Sequence, residues 1–377
     1  MEKRFIYADN AATTRLSNNA MEAMLPWQQK YFGNASQPYS FSREVKRALR
    51  ESRESIARCI GANPEEIYFT SGGTESNNWV IKNACLQSRG RDGIVTSTFE
   101  HHAILRPCLF EREYRNRTVS YVPVSRDGSI DKSVLNNVIS GADGLVSIMF
   151  INNEIGAVQD IKALSEVAHG RGCLFHTDAV QAIGHIPIDV RKLNIDYLSA
   201  SAHKFNGPKG IGFLYVKKGN ELPGLIVGGG QENALRSGTE NIASIVGMAT
   251  ALKENCQRLE QTYDALKIYR ATILNSLNQK GLEYTCNSPE SGYPGIISLS
   301  FKGLDGEAIL HRMDLWGICI STGSACNSKE TEVSHVLKAI GAEDAYARGT
   351  IRISLGHENT LEEVQIIASS LIKILMP

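Results

Sequence analysis

The sequence predicts an α/β protein: a doubly wound, mostly parallel sheet, with a smaller α+β domain. Three observations carry that expectation. Short apolar, strand-like runs recur at 93–97, 118–124, 145–151, 173–176, 197–200 and 211–216, with helical stretches between several of them, notably 161–171. Such alternation builds parallel sheets covered by helices. The runs end in polar or small residues, and sheets of this kind bind ligands beyond the carboxyl ends of their strands. A long helical stretch without proline, from about Ile242 to Gly281, then suits a link between domains.

At 377 residues the chain is long enough for two domains, and 42% hydrophobic with 21% charged is ordinary for a globular core. Forty basic residues balance forty acidic ones, which offers no electrostatic case for a nucleic-acid or membrane-surface partner. No charged-then-apolar leader opens the chain and no apolar run approaches ~18 residues, so a cytoplasmic protein without a membrane span is expected. The eight cysteines are scattered, with no Cys-x-x-Cys pair and no zinc spacing, so neither a metal site nor a disulfide framework is expected. Most of them read as small buried hydrophobes.

Taken in order, residues 1–15 form a short arm whose Tyr7-Ala-Asp-Asn-Ala-Ala-Thr-Thr14 reads as a loop or a helix start. A helical pattern runs from about Ser42 to Ile60 and stops at Gly61. Ile67-Tyr-Phe-Thr70 is a short strand, followed at once by Ser71-Gly-Gly-Thr-Glu-Ser-Asn-Asn78 and an apolar-periodic segment. Strand, glycine turn and helix is the geometry that points backbone N–H groups at a phosphate. It equally suits an ordinary turn capped by Thr74 or Ser76. After the long helix, residues 284–377 mix strands at 296–301 and 350–355 with helices at 306–316 and 361–375. Thr360-Leu-Glu-Glu363 is a capping box at the start of the last helix.

The polar tips that follow the strands are the places to look for chemistry: 70–74, Glu100-His-His102, Asn152-Asn-Glu154, Asp178 with Gln181, and His203-Lys204. Lys204 lies in Ser199-Ala-Ser-Ala-His-Lys-Phe-Asn-Gly-Pro-Lys-Gly210, between two apolar runs. A lysine among small neighbours suits Schiff-base chemistry once burial or a nearby cation lowers its pKa, because free lysine is neutral at pH 7 only about one time in 2,500. Taken alone it also reads as a surface turn lysine. Asp178 lies 26 positions earlier, at the end of another run. A carboxylate there pairs with a protonated ring nitrogen, worth about 1.5–3 kcal/mol, or simply caps the next turn. A Schiff-base lysine with a pyridinium carboxylate is what pyridoxal phosphate requires.

Together, Tyr7–Thr14, Thr70-Ser-Gly-Gly-Thr-Glu-Ser-Asn-Asn78, Glu100-His101, Asn152-Asn-Glu-Ile-Gly156, Asp178-Ala-Val-Gln181, Ser201-Ala-His-Lys204, Arg236-Ser-Gly-Thr239 and Ser321-Thr-Gly-Ser-Ala-Cys-Asn-Ser328 resemble the cysteine desulfurase family. That family belongs to the class-V-aminotransferase-like, fold-type-I pyridoxal-phosphate enzymes, and the match runs the length of the chain. The resemblance implies a seven-stranded-type sheet in a large domain of residues 16–257. Residues 1–15 with 258–377 then make the small domain that carries a cysteine loop.

It also implies roles. Lys204 would hold pyridoxal 5'-phosphate and move the substrate α-proton, Asp178 would face the ring nitrogen, and Gln181 and Asn153 the ring oxygen. His101 would stack on the ring and assist proton transfer. Gly73, Thr74, Ser201 and His203 would bind the phosphate. Thr239 would reach the phosphate of a neighbouring subunit, which makes a homodimer. Arg352 would clamp the substrate carboxylate, with Asn153 beside it, a task that suits a planar guanidinium. The implied reaction takes sulfur from L-cysteine, leaving L-alanine and a persulfide on Cys326. Acceptor proteins, an iron–sulfur scaffold or a tRNA-thiolating enzyme, would then collect the sulfur.

Cys326 sits in small, polar surroundings, unlike Cys319, which reads as core. On its own it fits an incidental loop cysteine; within the resemblance it fits the nucleophile of the long-loop form. The chain departs from the family where Asn34-Ala-Ser-Gln-Pro-Tyr-Ser-Phe-Ser42 stands in place of Asn-Pro-Ser-Ser-x-His-x-x-Gly. Tyr39 and Ser42 then reshape an entrance loop. A related pyridoxal-phosphate lyase or aminotransferase keeps every residue but Cys326 in role, and a non-catalytic scaffold is the reading furthest from these residues.

Overall fold

The computed structural model describes residues 5–86, 90–322 and 333–376. A seven-stranded sheet organises the chain. Its strands are β2 (Ile67–Thr70), β3 (Gly93–Ser97), β4 (Val119–Val122), β5 (Asp143–Ser147), β6 (Leu174–Asp178), β7 (Tyr197–Ser201) and β8 (Gly212–Val216), in the spatial order 2-8-7-6-5-3-4. β1 (Ile6–Tyr7) lies outside it. Only β8 runs antiparallel to its neighbours, pairing Ser201 with Gly212 and Thr70 with Gly212 on either side. The other strands therefore run in one direction and deliver their carboxyl ends to one edge.

Residues alternate across this sheet, as a period of two requires. Ile94, Leu145, Tyr197 and Leu214 pack on one face with Trp79 and Ile104. Val95, Val146, Phe175, Leu198 and Phe213 pack on the other, in the largest core. The inner strands are buried on both faces, which explains their unbroken apolar runs. The first face is covered by α3 (Gly73–Asn83) and α4 (His102–Arg115), which pack on each other. On the second, α1 (Asn18–Gln29) and α2 (Ser42–Ile60) pack against the long helix α7 (Ile242–Gln279), and α5 (Lys132–Val138) against α6 (Ile161–Gly170). Gly61 ends α2 with φ +69°, a left-handed conformation that suits glycine.

The long helix α7 (Ile242–Gln279) has 38 residues and spans roughly 57 Å. Beyond it lie β9 (Thr285–Cys286), β10 (Ile296–Ser300), α8 (Gly306–Leu315), β11 (Ile318–Cys319), α9 (His335–Ala339), α10 (Asp344–Ala347), β12 (Thr350–Ser354) and α11 (Leu361–Leu375). β12, β10 and β9 form an antiparallel sheet, and α11 packs on both α7 and α8. The capping box is present: Glu363 N–H donates to Thr360 Oγ1 and Thr360 N–H to Glu363 Oε2, both at 3.2 Å. Thr360→Ala should cost about 1 kcal/mol, read as a lowered urea midpoint at unchanged slope.

Three expectations need correction. The arm from Ala8 to Thr14 is the expected loop, but it is preceded by an unforeseen strand, Ile6–Tyr7, which pairs in parallel with Ile318–Cys319. A two-residue strand is too short to show a period. The run at 145–151 is a two-sided strand only to Ser147: beyond it Ile148 and Phe150 N–H still reach the His176 and Asp178 carbonyls of β6, but on the β3 side Met149 N–H turns to the Glu100 carboxylate at 2.9 Å. Cys319 is half-buried rather than core, since β11 belongs to a two-stranded ribbon with no partner beyond β1 among the described residues.

Candidate active site

Five parallel strands end along one edge, and their tips line a cavity of about 300 Å³. Gly73 and Thr74 open α3 after β2, and His101 precedes α4 after β3. Asn153 follows β5, Asp178 ends β6, and Ser201, His203 and Lys204 come at and just after the end of β7. All of these, with Gln181 and Arg352, line the cavity. Thr239 lines a different cleft, together with Ser71, Gly210 and Glu240. Cys326 lies outside the described residues.

The phosphate-type cradle is built by close approach. Gly72 adopts φ +150°, ψ −177°, which only glycine enters readily, and a Cβ on Gly73 would meet the Val180 side chain at 2.4 Å. The backbone can thus bring the open N-terminus of α3 against the cavity, where its N–H groups and dipole favour an anion. Glu75 in the same turn is taken up by Arg236, which donates to both of its oxygens at 2.9 and 3.1 Å. Burial pushes the Glu75 carboxyl up, but the bonds from Arg236 and Ser71 outweigh it and hold the group low.

Asp178 is 5% exposed. Its Oδ2 accepts from Asn77 Nδ2 at 2.7 Å and its Oδ1 from Val180 N–H at 3.0 Å, so it caps the next turn and faces the cavity at once. Asp178 and Ser199 are paired in register on β6 and β7, which places the carboxylate and Lys204 on adjacent tips. The Lys204 amine donates to the carbonyls of Ala11 and Ala12, at 2.6 and 2.8 Å. Gln181 Nε2 donates to the Ala11 carbonyl as well, at 2.8 Å, so the amino-terminal arm is part of the site.

The two site histidines are neutral at pH 7. Burial lowers His101, with Lys204 and His102 adding to it and Asp178 opposing. Its Nδ1 accepts from Ala103 N–H at 3.0 Å, which puts the proton on Nε2. Burial, then Lys204 and Lys209, take His203 down to about 4, and its Nδ1 lies 3.1 Å from Thr13 Oγ1. Glu100, fully buried and next to His101 in the chain, has its carboxyl pushed up to about 8 by burial, which favours the protonated form at neutral pH. It accepts from Ser97 Oγ at 2.5 Å and Met149 N–H, bracing the third strand tip against the fifth.

Arg352, on β12, donates to the Asn153 carbonyl at 2.9 Å and to Asp9 Oδ1 at 2.8 Å. These two bonds fix the plane of the guanidinium, and its buried Nε has no partner among the described residues. The flanks of the Cys326 segment are tied to Arg352 on one side and, on the other, to residues adjoining the cavity lining. Ser321 and Arg352 exchange backbone hydrogen bonds at 3.0 and 2.6 Å. On the far side, Ser334 Oγ donates to Glu154 Oε2 at 2.6 Å and His335 Nε2 lies 2.8 Å from the Glu100 carbonyl.

Sequence reasoning gave no individual role to Asn77, Glu100, Asp9, Ala11 or Ala12. Asn77 stands four residues after Gly73, hence on the same face of α3, a signal that could have found it. Ala11 and Ala12 act through backbone carbonyls, which leave no trace in side-chain pattern.

The class-V aminotransferase family pattern matches residues 6–367. A curated relative, the cysteine desulfurase IscS of Dictyoglomus turgidum, is 44% identical over 99% of this chain and 95% of its own. The chain is a cysteine desulfurase of the class-V aminotransferase family. Its fold is that of a solved NifS-like protein, with TM-score 0.92, 35% identity, and coverage of 99% of this chain and 100% of that one. A structure described as SspA in complex with cysteine follows with TM-score 0.83 and 36% identity, covering 93% of this chain and 98% of that one. The family is pyridoxal-phosphate-dependent.

Proposed function

We propose that the cavity holds pyridoxal 5'-phosphate and L-cysteine, and that sulfur leaves the substrate for Cys326. One observation carries this reading: a carboxylate, a lysine amine, an open helix N-terminus and an arginine converge on one cavity from separate strands. The donor set fits the cofactor. Gly73 and Thr74 with Ser201 and His203 would hold the phosphate, Asp178 the ring nitrogen, and Gln181 and Asn153 the ring oxygen. The buried Oδ1 of Asn77 and Nε of Arg352 are polar atoms left for a ligand to meet. When bound, the cofactor supplies an electron sink for the carbon that loses its proton.

The chain's own residues do the rest. Arg352 orients the substrate carboxylate, its plane preset by Asp9 and the Asn153 carbonyl. Lys204 takes and returns the α-proton at Nζ, and His101 offers or accepts one at Nε2, its Nδ1 being engaged. Asp178, held by Asn77, keeps a ring nitrogen protonated. Cys326 receives the sulfur; the segment before it is tied to Arg352 of the cavity wall, and the one after it to Glu154 and Glu100, chain neighbours of the lining residues Asn153 and His101. Incubation with L-cysteine should release alanine and sulfide in equal amounts when a reductant is present. Pyruvate in place of alanine would indicate a lyase instead.

The division into a large domain, 16–257, and a small one, 1–15 with 258–377, is proposed with it, as is a homodimer that hands sulfur to an acceptor protein. Thr239 supports the dimer by lying away from its own chain's cavity, on a stretch where Val227 is 86% exposed. If Thr239 serves the partner's phosphate, Thr239→Val should weaken cofactor binding about ten- to a hundredfold, as loss of a hydrogen bond to a charged group does. Mixed dimers with Lys204→Ala should then regain wild-type affinity at half of their sites, because one site receives both intact residues. Affinity that stays at the Thr239→Val level in the mixture would rule out sharing.

A further inference from the structure

Cys85, Cys108 and Cys173 are buried, and burial pushes their thiols up. Cys59 and Cys256 differ. Cys59 stands in the last turn of α2 and Cys256 within α7, two helices that pack together. Both thiols are half-buried and line one open cleft of about 400 Å³ beside Arg58, Lys253, Pro187 and Ile188. None of these residues borders the cavity of Lys204.

The pair is asymmetric. The neighbouring Cys256 thiol lowers the Cys59 pKa; burial opposes this, and Arg58 and Lys253, which line the same cleft, lower it further. The neighbouring Cys59, with burial, raises Cys256. One sulfur is favoured as thiolate while its neighbour keeps a proton, the division of labour between an attacking and a resolving thiol. The cationic rim of Arg58 and Lys253 also steadies the thiolate that attacks and the RS⁻ and HS⁻ that leave.

We propose that Cys59 and Cys256 form a second sulfur-reactive site, which takes sulfane sulfur from a small persulfide and resolves it to an intramolecular disulfide. The step balances without an outside oxidant. The Cys59 thiolate attacks the outer sulfur of R–S–S–H, breaking its S–S bond, and the thiolate RS⁻ leaves. Cys256 passes its proton to RS⁻ and attacks the Cys59 sulfur, expelling HS⁻. Two protein thiols are oxidised and the sulfane sulfur is reduced to sulfide. The desulfurase activity supplies the persulfide whenever a small thiol collects its product.

The test uses the full-length, cofactor-loaded protein with sodium tetrasulfide as probe, followed by alkylation and peptide mass mapping. Wild type should yield a linked Cys59–Cys256 peptide, two hydrogens lighter than its parts. Cys256→Ala should trap one extra sulfur on Cys59, and Cys59→Ala should leave Cys256 unmodified. Cys59 should react at least about tenfold faster than the half-buried Cys286 and Cys319, reflecting its thiolate fraction. Turnover of L-cysteine by both variants should match wild type, which shows that they are folded. Reaction of Cys59 no faster than that of Cys286, or faster linking by hydrogen peroxide than by tetrasulfide at equal concentration, would overturn the proposal.

Discussion

Lys204→Ala should lose all measurable desulfuration, a fall of at least about 10⁴-fold, because both the covalent anchor and the proton-transferring group disappear. No other lysine lines the cavity among the described residues. Cofactor binding should persist, since Asp178, the cradle at Gly73 and His203 are untouched. The amino-terminal arm should loosen too. Lys204 supplies two of the bonds to the Ala11 and Ala12 carbonyls, and Gln181 alone retains the Ala11 contact. Borohydride reduction of wild type followed by peptide mapping should place the cofactor on Lys204. A label on Lys209 would defeat the assignment.

Cys326→Ala should separate binding from sulfur transfer. Cofactor and L-cysteine should still produce the wild-type spectral change on mixing, because Lys204, Asp178 and Arg352 remain. Alanine formation should fall by about 10³-fold or more, since no thiolate is left to attack the substrate sulfur. The hydroxyls of Ser324 and Ser328 cannot substitute, being far less acidic and poor carriers of sulfane sulfur. Wild type treated with L-cysteine and then alkylated should carry one extra sulfur on the peptide of Cys326. Full alanine production by the variant would remove Cys326 from the mechanism. A Cys59–Cys256 link formed with sodium tetrasulfide in the Cys326→Ala protein would show that the second thiol pair works independently of it.

Much of this protein was determined by local pattern. Apolar runs buried on both faces read directly as inner strands, and β3, α2 and α11 fall where periodicity and caps place them. Gly61 and the Thr360 capping box mark their helix ends by backbone chemistry alone. The cavity residues were legible for a topological reason: parallel strands put every carboxyl end on one edge, so polar tips in the sequence become neighbours in space. What remained for the tertiary structure were contacts with no local signature. Ile6–Tyr7 is a strand only because Ile318–Cys319, more than 300 residues away, offers it an edge. Arg352 gains its orientation from Asp9 and a backbone carbonyl in two other segments. The Glu100 carboxyl is pushed up by burial that no single stretch of chain can impose. Cys59 and Cys256, 197 positions apart by their numbers, meet because α2 packs against α7. Strand, helix and cap follow from energies between near neighbours; pairing partners, burial and shifted protonation depend on which distant surfaces exclude water together.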